Sequence, residues 1–501
     1  MTPKPRELTE ELLSRRSLVA RGAALTGGTI LAGPLAACGG SPAPPTGQRV
    51  VVVGAGLAGL SCAYRLHQAG LDANVYEAHP VRVGGRCWTA REFADGQVGE
   101  HGGEFIDTDH VHMRRLVREL GLELDDLSKR GGGHSLLYLD GRLRSKDAAY
   151  RGYGATLHRL NEVDRRTGYD GSYSNRSARA FDRRTAGEWI ARNVPTSRRS
   201  LRELMRDYFS EEFGLDAGRL TATDLLYLTE GPPAREPAAG DPSDERFHVV
   251  GGNDLVPHGI AERLPEDSLH LGAPLEALWR RGDGSYGLRF DGVSGDVIAD
   301  RVVLAIPYTT LRDVDLSRAG FRKMKRRCIN ELSMGTNAKV LLQFHHRPQC
   351  FRNWNGVLVT DQPYLDTWQS SLGQPGRAGL ITVYSGGRVG AGYPGHPPHG
   401  PAPRAVVRET LAALERAVPG ISKNFNGRAW LDNWSADPWT HGSYAAYLPG
   451  QYTEFAGIVK APEGGVHFAG EQTSDAYQGF LEGAVASGER CAREVLHTTP
   501  S

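Results

Sequence analysis

The chain has 501 residues, of which 40% are hydrophobic and 23% are charged, a composition that supports a globular fold with a sizeable core. Lys and Arg together number 59 and Asp and Glu 58, leaving a formal charge of +1, which argues against a nucleic-acid binder that relies on an overall basic field. The sequence lacks an unbroken apolar run of about 18 residues, which excludes a polytopic membrane protein. Six cysteines without a Cys-x-x-Cys pair exclude a disulfide scaffold and a zinc ribbon.

The N-terminal segment has the features of a targeting signal. Arg15 and Arg16 precede a weakly apolar stretch that ends in Leu-Ala-Ala-Cys at Cys38. The arginine pair resembles a twin-arginine export signal, and the end of the stretch resembles a lipobox, which would place a lipid anchor on Cys38. We therefore expect residues 1–38 to be an export signal and residues 39–47 a Pro- and Gly-rich linker. The mature protein would then lie in the periplasm or cell envelope. The alternative is an ordinary flexible N-terminus.

A dinucleotide-binding fingerprint follows the linker. The β-branched run at 50–53 predicts a buried parallel strand, which leads directly into a Gly-x-Gly-x-x-Gly turn and a helical stretch. The first glycine permits the tight bend, the second lets backbone amides approach a pyrophosphate, and the third lets helix and strand pack closely. An acid ends the next strand, about 20 residues further on, where it would bind a ribose. The predicted dinucleotide-binding residues are Gly54, Gly56, Leu57, Ala58, Gly59, Glu77 and Ala78.

The turn after the second strand indicates that the dinucleotide is FAD. Val83-Gly84-Gly85-Arg86 resembles the Gly-Gly-Arg element of FAD enzymes of the amine oxidase family. The resemblance implies that the glycines lie along the cofactor, and the arginine fork suits charge-assisted bonds to phosphate oxygens. The alternative is a surface turn with a solvated arginine.

Four further segments, in order along the chain, resemble the flavin-containing monoamine oxidase family. They are 99–105, which would pass over the flavin ring, then 249–255, 299–307 and 466–471, the last with a Gly-Glu pair for the ribityl and phosphate part. The cofactor-binding residues that the resemblance adds are Gly84, Gly85, Arg86, Gly102, Gly103, Glu104, Phe105, Leu275, Trp434, Gly470, Glu471, Gly479 and Phe480.

The order of these segments predicts an α/β fold. A discontinuous, Rossmann-like FAD-binding domain would accompany an α+β substrate-binding domain with a helical cap. The predicted FAD-binding domain comprises residues 48–105, 246–307 and 456–496, and the substrate-binding domain comprises residues 106–245 and 308–455. Apolar residues at helical spacing between Trp189 and Phe213 predict the cap, and we interpret their stripe as core. We expect a surface loop at 390–404, which is rich in Pro and Gly, and a last helix from near Phe480 to about Leu496.

A lysine among the apolar residues of a predicted strand, Lys339, is the first candidate for chemistry. Burying a lysine is costly and shifts its pKa readily, so such residues are often functional. In the amine oxidase family a matching lysine binds a water that bridges to the reactive flavin nitrogen, and the resemblance implies this role for Lys339. The alternative is an edge-strand lysine that points to solvent.

Aromatic residues supply the other predicted catalytic positions. Trp434 and Tyr444 lie in a segment that resembles the family's stretch with a tryptophan near the flavin and one ring of an aromatic cage. Phe480 falls on the position of the second ring. Two parallel rings would leave a narrow slot for an amine, and their π faces favour positive charge developing on nitrogen. The alternative is that both rings are core. The predicted catalytic residues are Lys339, Tyr444, Phe480 and Trp434, with no metal ion.

The resemblance implies an FAD-dependent amine oxidase that converts a C–N bond to an imine and reduces O2 to H2O2. An L-amino acid oxidase is the alternative, and such enzymes usually hold the substrate carboxylate with an arginine. The family position for that arginine is Phe105 here, after Glu104, although Arg388 could substitute. Glu104 could instead bind the remote cation of a diamine. A noncatalytic FAD-binding envelope protein is the alternative from another class, and the sequence leaves open whether the protein is a homodimer.

Ser443 leads to a prediction about how the cofactor is attached. Monoamine oxidases carry at the matching position a cysteine that tethers the flavin, and serine cannot form that thioether. We therefore expect noncovalent FAD, which acid denaturation would release into the supernatant, where its absorbance is measured. Yellow colour retained on the precipitated polypeptide would contradict this prediction.

Overall fold

The structure is a computed structural model, and it describes residues 47–167, 175–229, 244–362, 364 and 366–497. The predicted export signal with Cys38, and all of the predicted linker except Gly47, lie outside the described residues and stay predictions. Within the described part of the chain, no helix is both long and apolar enough to cross a membrane.

The described residues form two compact units, each assembled from pieces that are distant in sequence. The parallel-sheet unit comprises residues 47–85, Val256–Asn330 and 457–497, and the mixed-sheet unit comprises Arg86–Leu255 and Glu331–Ala456. The domain boundaries expected from the sequence group residues by their expected contacts with the cofactor, whereas the two units are defined by compactness. Those boundaries stay a prediction.

Twenty-two strands lie within the described residues and are numbered in chain order. They are β1 Val50–Val53, β2 Ala73–Glu77, β3 Thr89–Ala90, β4 Gly99–Glu100, β5 Leu124–Asp126, β6 His134–Leu139, β7 Arg142–Leu143, β8 Phe247–Val249, β9 Leu269–Leu271, β10 Leu275–Arg280, β11 Tyr286–Phe290, β12 Val297–Ala299, β13 Arg301–Leu304, β14 Ser333–Met334, β15 Ala338–Phe344, β16 Trp354–Thr360, β17 Asp366–Gln369, β18 Gly379–Ser385, β19 His399–Pro401, β20 Phe425–Asn433, β21 Ala445–Ala446 and β22 Val466–Phe468. The α-helices are Leu57–Gln68, Val111–Glu119, Lys146–Ala149, Tyr153–Thr167, Arg176–Asp182, Ala186–Asn193, Arg199–Glu212, Leu255–Ala261, Tyr308–Leu311, Lys323–Glu331, Gly387–Ala391, Arg404–Ala417, Gln451–Phe455 and Leu481–His497.

The parallel-sheet unit is organised around five parallel strands in the order β22-β13-β1-β2-β9. The central strand β1 is buried along its whole length, as expected of a β-branched run in a parallel sheet covered on both faces. Helix Leu57–Gln68 packs on the last helix, Leu481–His497. A Cβ at Gly488 would lie 2.2 Å from the carbonyl oxygen of Ala58, so this crossing requires glycine. An antiparallel sheet, β10-β11-β12, belongs to the same unit.

The mixed-sheet unit contains an eight-stranded sheet in the order β19-β20-β15-β18-β17-β16-β6-β7. Its pairs are antiparallel except for β6 with β16. Strand β15 lies between β20 and β18 and is buried at all seven residues. Whatever polar side chain β15 carries must therefore find its partners inside the protein.

A helical layer in the mixed-sheet unit accounts for the apolar stripe of the sequence. Helix Ala186–Asn193 begins with a capping box between Thr185 and Glu188. The stripe residues Trp189, Ile190, Leu201, Leu204, Met205 and Phe209 are buried in one cluster, with Phe213 packed against it. The interpretation of this stripe as core is confirmed.

The predicted surface loop at 390–404 is wrong in part. Helix Gly387–Ala391 ends inside it, and β19 pairs with β20 so that His399 lies opposite Asp432. Pro and Gly correctly indicated that regular secondary structure is interrupted there. They do not show that residues of this segment pair with β20, because the pairing of two strands depends on the fold of the whole sheet.

Candidate functional site

The glycine turn after β1 is shaped by missing side chains. The amide of Gly54, at φ 98°, donates to the carbonyl of Tyr76 at 2.7 Å, which ties the turn to β2. A Cβ on Gly59 would lie 2.0 Å from the oxygen of Gly54, whereas a Cβ on Gly56 would meet no described atom within 4 Å. Gly56 caps helix Leu57–Gln68 without a side chain, so the first helical amides are left for an external anion. This open turn fits the pyrophosphate of a dinucleotide.

The second glycine turn lies directly beside the first. The amide of Gly84 donates to the carbonyl of Ala55 at 2.8 Å, and Gly84 forms a β-bridge with Gly56. Gly85 has φ 58°, and its Cβ would lie 3.3 Å from the Cα of Gly56. The structure thus brings together the two glycine motifs that the sequence predicted for one cofactor.

Glu77, at the end of β2, supports the same turn. Its carboxylate accepts the amide of Ala55 at 2.6 Å and that of His79 at 2.8 Å. Burial raises the pKa of Glu77, and these two N–H groups act against that rise. Glu77 and Ala78 therefore lie beside the glycine turn, while Leu275 begins β10 of the neighbouring antiparallel sheet in the same unit.

A carboxylate, that of Glu471, also fixes the backbone of the Gly470-Glu471 motif near the C-terminus. Gly470, at φ 120°, follows β22, and its amide donates to the hydroxyl of Ser487 at 3.0 Å. Glu471 accepts the amide of Gly479 at 2.8 Å, which fixes the loop that leads through Phe480 into the last helix. Gly470, Glu471, Gly479 and Phe480 thus come together within the parallel-sheet unit.

Lys339 is the central charged group of the mixed-sheet unit. Its ammonium donates to the backbone oxygens of Glu100 at 3.0 Å and Gly102 at 2.7 Å, and to the carboxylate of Glu104 at 2.9 Å. Both members of the ion pair are 6% exposed in their side chains. The alternative of an edge lysine in solvent is therefore wrong for this structure.

Glu104 is the counter-ion of Lys339. Burial alone would raise the pKa of Glu104, but Lys339 and hydrogen bonds from Ser370 and Trp368 hold that pKa below its ordinary value. The carboxylate is therefore ionised at neutral pH. Because it is committed to Lys339, it does not fit the interpretation that Glu104 binds the remote cation of a diamine.

Arg86 and Trp434 also hold the segment whose backbone oxygens bind Lys339. A Cβ on Gly102 would lie 1.9 Å from the carbonyl oxygen of Arg86, and Gly103 donates its amide to the same oxygen at 3.1 Å. The guanidinium of Arg86 donates to the carbonyl of Ser443 at 2.7 Å. The indole N–H of Trp434, a buried residue, donates to the carbonyl of His101 at 2.9 Å. These contacts fix the path of residues 101–103.

Two aromatic residues join Tyr444 near Lys339. The hydroxyls of Tyr444 and Tyr384 lie 3.1 Å apart, and the rings of Tyr384 and Trp368 have centroids 5.4 Å apart. The Lys339 ammonium lies 5.3 Å from the Trp368 ring. Burial raises the pKa of Tyr444 well above its ordinary value, so its hydroxyl stays protonated. Sequence reasoning missed Tyr384 and Trp368. They lie on one face because β17 pairs with β18 in the register that sets Asp366 opposite Tyr384 and Trp368 opposite Thr382, and no local sequence signal gives that register.

The remaining predicted positions differ in the unit to which they belong and in their exposure. Phe480 belongs to the parallel-sheet unit and Tyr444 to the mixed-sheet unit, so their pairing as a cage stays a prediction. Arg388 pairs with Asp216 at 2.9 Å and its side chain is 89% exposed, which does not suit a buried grip on a carboxylate. Phe105 packs against Trp368, with ring centroids 5.9 Å apart.

One group of residues in the described ranges has metal-ligand geometry. The ligand atoms of Asp107, Asp109 and His110 all lie within 4.8 Å of one another. The imidazole of His110 accepts the amide of Asp107 at 3.0 Å, and burial lowers the pKa of His110 to about 3. None of the predicted catalytic residues belongs to this group.

The open glycine turn of the parallel-sheet unit is typical of a dinucleotide-binding protein, and a buried lysine such as that of the mixed-sheet unit is typical of a functional site. The family model described as flavin containing amine oxidoreductase matches residues 57–496, and the chain belongs to that family. It is therefore a flavin-dependent amine oxidoreductase whose cofactor is FAD. The α/β fold expected from the sequence is confirmed, and membership in this family argues against a noncatalytic flavoprotein.

Relatives with known activities cover most of the chain. Amine oxidase [flavin-containing] A of Sus scrofa is 24% identical over 469 residues, which are 89% of this chain and 85% of the relative. L-amino-acid oxidase of Mus musculus is 27% identical over 469 residues, which are 89% of this chain and 70% of the relative.

Solved structures show the same fold. Cyclohexylamine oxidase from Brevibacterium oxydans matches with a TM-score of 0.76 and 22% identity, covering 90% of this chain and 98% of that one. Putrescine oxidase bound to putrescine matches with a TM-score of 0.75 and 20% identity, covering 90% and 99%.

The ion pair of Lys339 and Glu104 generates a prediction about stability. Glu104→Gln leaves a buried ammonium without its anion, so we expect the free energy of unfolding at pH 7 to fall by roughly 3–5 kcal/mol. Lys339→Met should cost less, because the buried carboxyl left behind can take up a proton. Denaturant titrations of both single variants and the double variant would measure this coupling. Losses that simply add in the double variant would contradict it.

Proposed function

We propose that the protein oxidises small-molecule amines that lack a carboxylate. The C–N bond becomes an imine, which water hydrolyses to a carbonyl compound and ammonia or an amine. In this proposal O2 accepts the electrons and becomes H2O2, and FAD is bound noncovalently because Ser443 stands at the tethering position. FAD, when bound, supplies the two-electron acceptor that the reaction needs.

The observation that carries the substrate class is the commitment of Lys339 to Glu104. An amino-acid substrate needs a buried cation for its carboxylate, and bidentate arginine is the usual solution. The ammonium of Lys339 is already neutralised by Glu104 at 2.9 Å, and Arg388 is solvated beside Asp216. Putting a second carboxylate near the ionised Glu104 would be unfavourable. Putrescine oxidase and cyclohexylamine oxidase, whose structures have the same fold, are named for amines of this class.

The chain's own residues bind and orient the amine. Tyr444, Tyr384 and Trp368 supply aromatic surface close to Lys339, and aromatic faces favour nitrogen as it becomes positive. The ion pair adds no net charge, so a neutral amine is not penalised on entry. Lys339 keeps its ammonium fixed by three oxygens, and by resemblance it would hold the bridging water.

An L-amino acid oxidase is the second candidate. It is favoured by the 27% identity to the Mus musculus enzyme. It requires a carboxylate-binding cation other than Lys339 and Arg388.

A peroxide-coupled screen of amines and L-amino acids on the FAD-loaded protein would decide between these candidates. We expect amines, but not L-amino acids, to yield H2O2, and anaerobic addition of an active amine to bleach the flavin. The variant Lys339→Met should slow the reaction with O2 by roughly 10²-fold, the effect typical of a lost positioned group. The exposed Arg388→Gln serves as the control and should leave amine turnover unchanged. Turnover of L-amino acids alone, with no H2O2 from any amine, would reverse the assignment.

We also infer that the enzyme is exported through the twin-arginine route and anchored by lipid on Cys38. The support is the Arg15-Arg16 pair followed by a Leu-Ala-Ala-Cys sequence. Mass spectrometry of the mature protein should find Cys38 at its N-terminus, with added acyl mass. An intact Met1 on protein isolated from the cell envelope would refute processing at this site.

A further inference from the structure

A single row of polar side chains crosses the mixed sheet. In the register of the strands, His399 of β19 lies opposite Asp432 of β20, which lies opposite Lys339 of β15, which lies opposite Tyr384 of β18. Directly opposed residues of an antiparallel pair lie on the same face. His399 therefore occupies the same row as Lys339, two strands away, although it belongs to a segment that the sequence had assigned to a surface loop.

His399 bridges two buried carboxylates. Its Nδ1 lies 2.8 Å from Oδ1 of Asp432, and its Nε2 lies 3.0 Å from Oδ2 of Asp437. The side chains of these residues are 10%, 0% and 5% exposed, in the order His399, Asp432 and Asp437. A neutral imidazole has one N–H, whereas both ring nitrogens here face carboxylate oxygens, so the imidazolium can donate to both carboxylates at once.

The surroundings of His399 agree with a charged ring. Burial alone would lower the pKa of His399, but the hydrogen bonds to Asp432 and Asp437 outweigh burial and raise the pKa to about 8. The charged or titratable groups that face it are Asp432 from β20, Asp437 from the turn after Trp434, and His101 from the segment after β4, with ring centroids 6.5 Å apart. The ring of Trp434 also lies against it, with centroids 4.6 Å apart.

Both carboxylates are connected to the predicted flavin-facing residues. Asp432 accepts from Nδ1 of His101 at 2.9 Å, and the carbonyl of His101 accepts the indole of Trp434 at 2.9 Å. The next residue, Gly102, gives its carbonyl to Lys339 at 2.7 Å. Asp437 ends the turn that begins at Trp434 and donates its amide to the carbonyl of that residue at 3.3 Å.

We propose that His399 is a positioning residue for amine oxidation: its imidazolium clamps Asp432 to Asp437 and so fixes the Trp434 ring and the His101–Gly103 segment beside Lys339. This inference rests on the proposed function only in stating that the positioned residues serve amine oxidation. In the folded state the pKa of His399 is about 8, above the ordinary 6.5. The clamp is therefore fully formed near pH 6.5 and is lost as the pH rises through about 8. Loss of the proton leaves one carboxylate facing a nitrogen lone pair.

The FAD-loaded enzyme without substrate provides the test. We expect its flavin absorbance and near-ultraviolet tryptophan circular dichroism to change together, with a midpoint near pH 8, in the wild-type protein. His399→Gln should lack this transition, and its kcat with saturating amine at pH 7 should fall roughly 10- to 100-fold. His158→Gln is the matched control, because the His158 side chain is 74% exposed and pairs with Glu162 at the surface. It should retain both the transition and the activity.

A gentler variant keeps the test decisive if His399→Gln does not fold. Asp437→Asn retains an acceptor oxygen but removes one charge, so the midpoint should fall by about one pH unit. An unchanged midpoint in either variant, or no transition in the wild-type protein, would overturn the proposal. These spectra need no turnover, so a protein that shows the transition but oxidises no amine would disprove the proposed function and leave the clamp intact.

Discussion

The buried ammonium of Lys339 is the constraint on which the mixed-sheet unit depends. An unpaired charge inside a protein costs several kcal/mol, and β15 has no exposed position to which this side chain could escape. Three oxygens therefore surround it, from Glu100, Gly102 and Glu104. Satisfying one lysine thus sets the course of the whole segment from β4 to residue 104, including the glycine that must pass close to Arg86.

A second set of polar contacts holds the same segment, from β4 to residue 104. His101 and His399 share the carboxylate of Asp432, and the indole of Trp434 bonds to the backbone of His101. Buried polar networks are costly when incomplete and rigid when complete. Because the row from His399 to Tyr384 crosses four hydrogen-bonded strands, displacement of one member would disturb its neighbours. Rigidity is what an amine oxidase needs where a carbon–hydrogen bond must be aligned.

The parallel-sheet unit builds its site by the opposite means, from the absence of side chains. Gly54 and Gly59 have no room for a Cβ, while Gly56 leaves a space open at a helix N-terminus. The carboxylate of Glu77 accepts the amide of Ala55 in this turn. An anionic cofactor suits a site made of amides and a helix dipole, and family membership identifies that cofactor as FAD.

The sequence by itself determined the elements whose signals are local. Glycine spacing after a β-branched run located the dinucleotide turn. A lysine among apolar residues identified Lys339 as a charged group on a buried strand. Both depend on neighbours a few positions apart, which the sequence shows directly. The tertiary structure alone decided the partners: Glu104 as counter-ion, Tyr384 and Trp368 as aromatic neighbours, and His399 as the bridge between two carboxylates. Strand order and register place these residues together, and those are properties of the whole sheet rather than of any stretch of sequence.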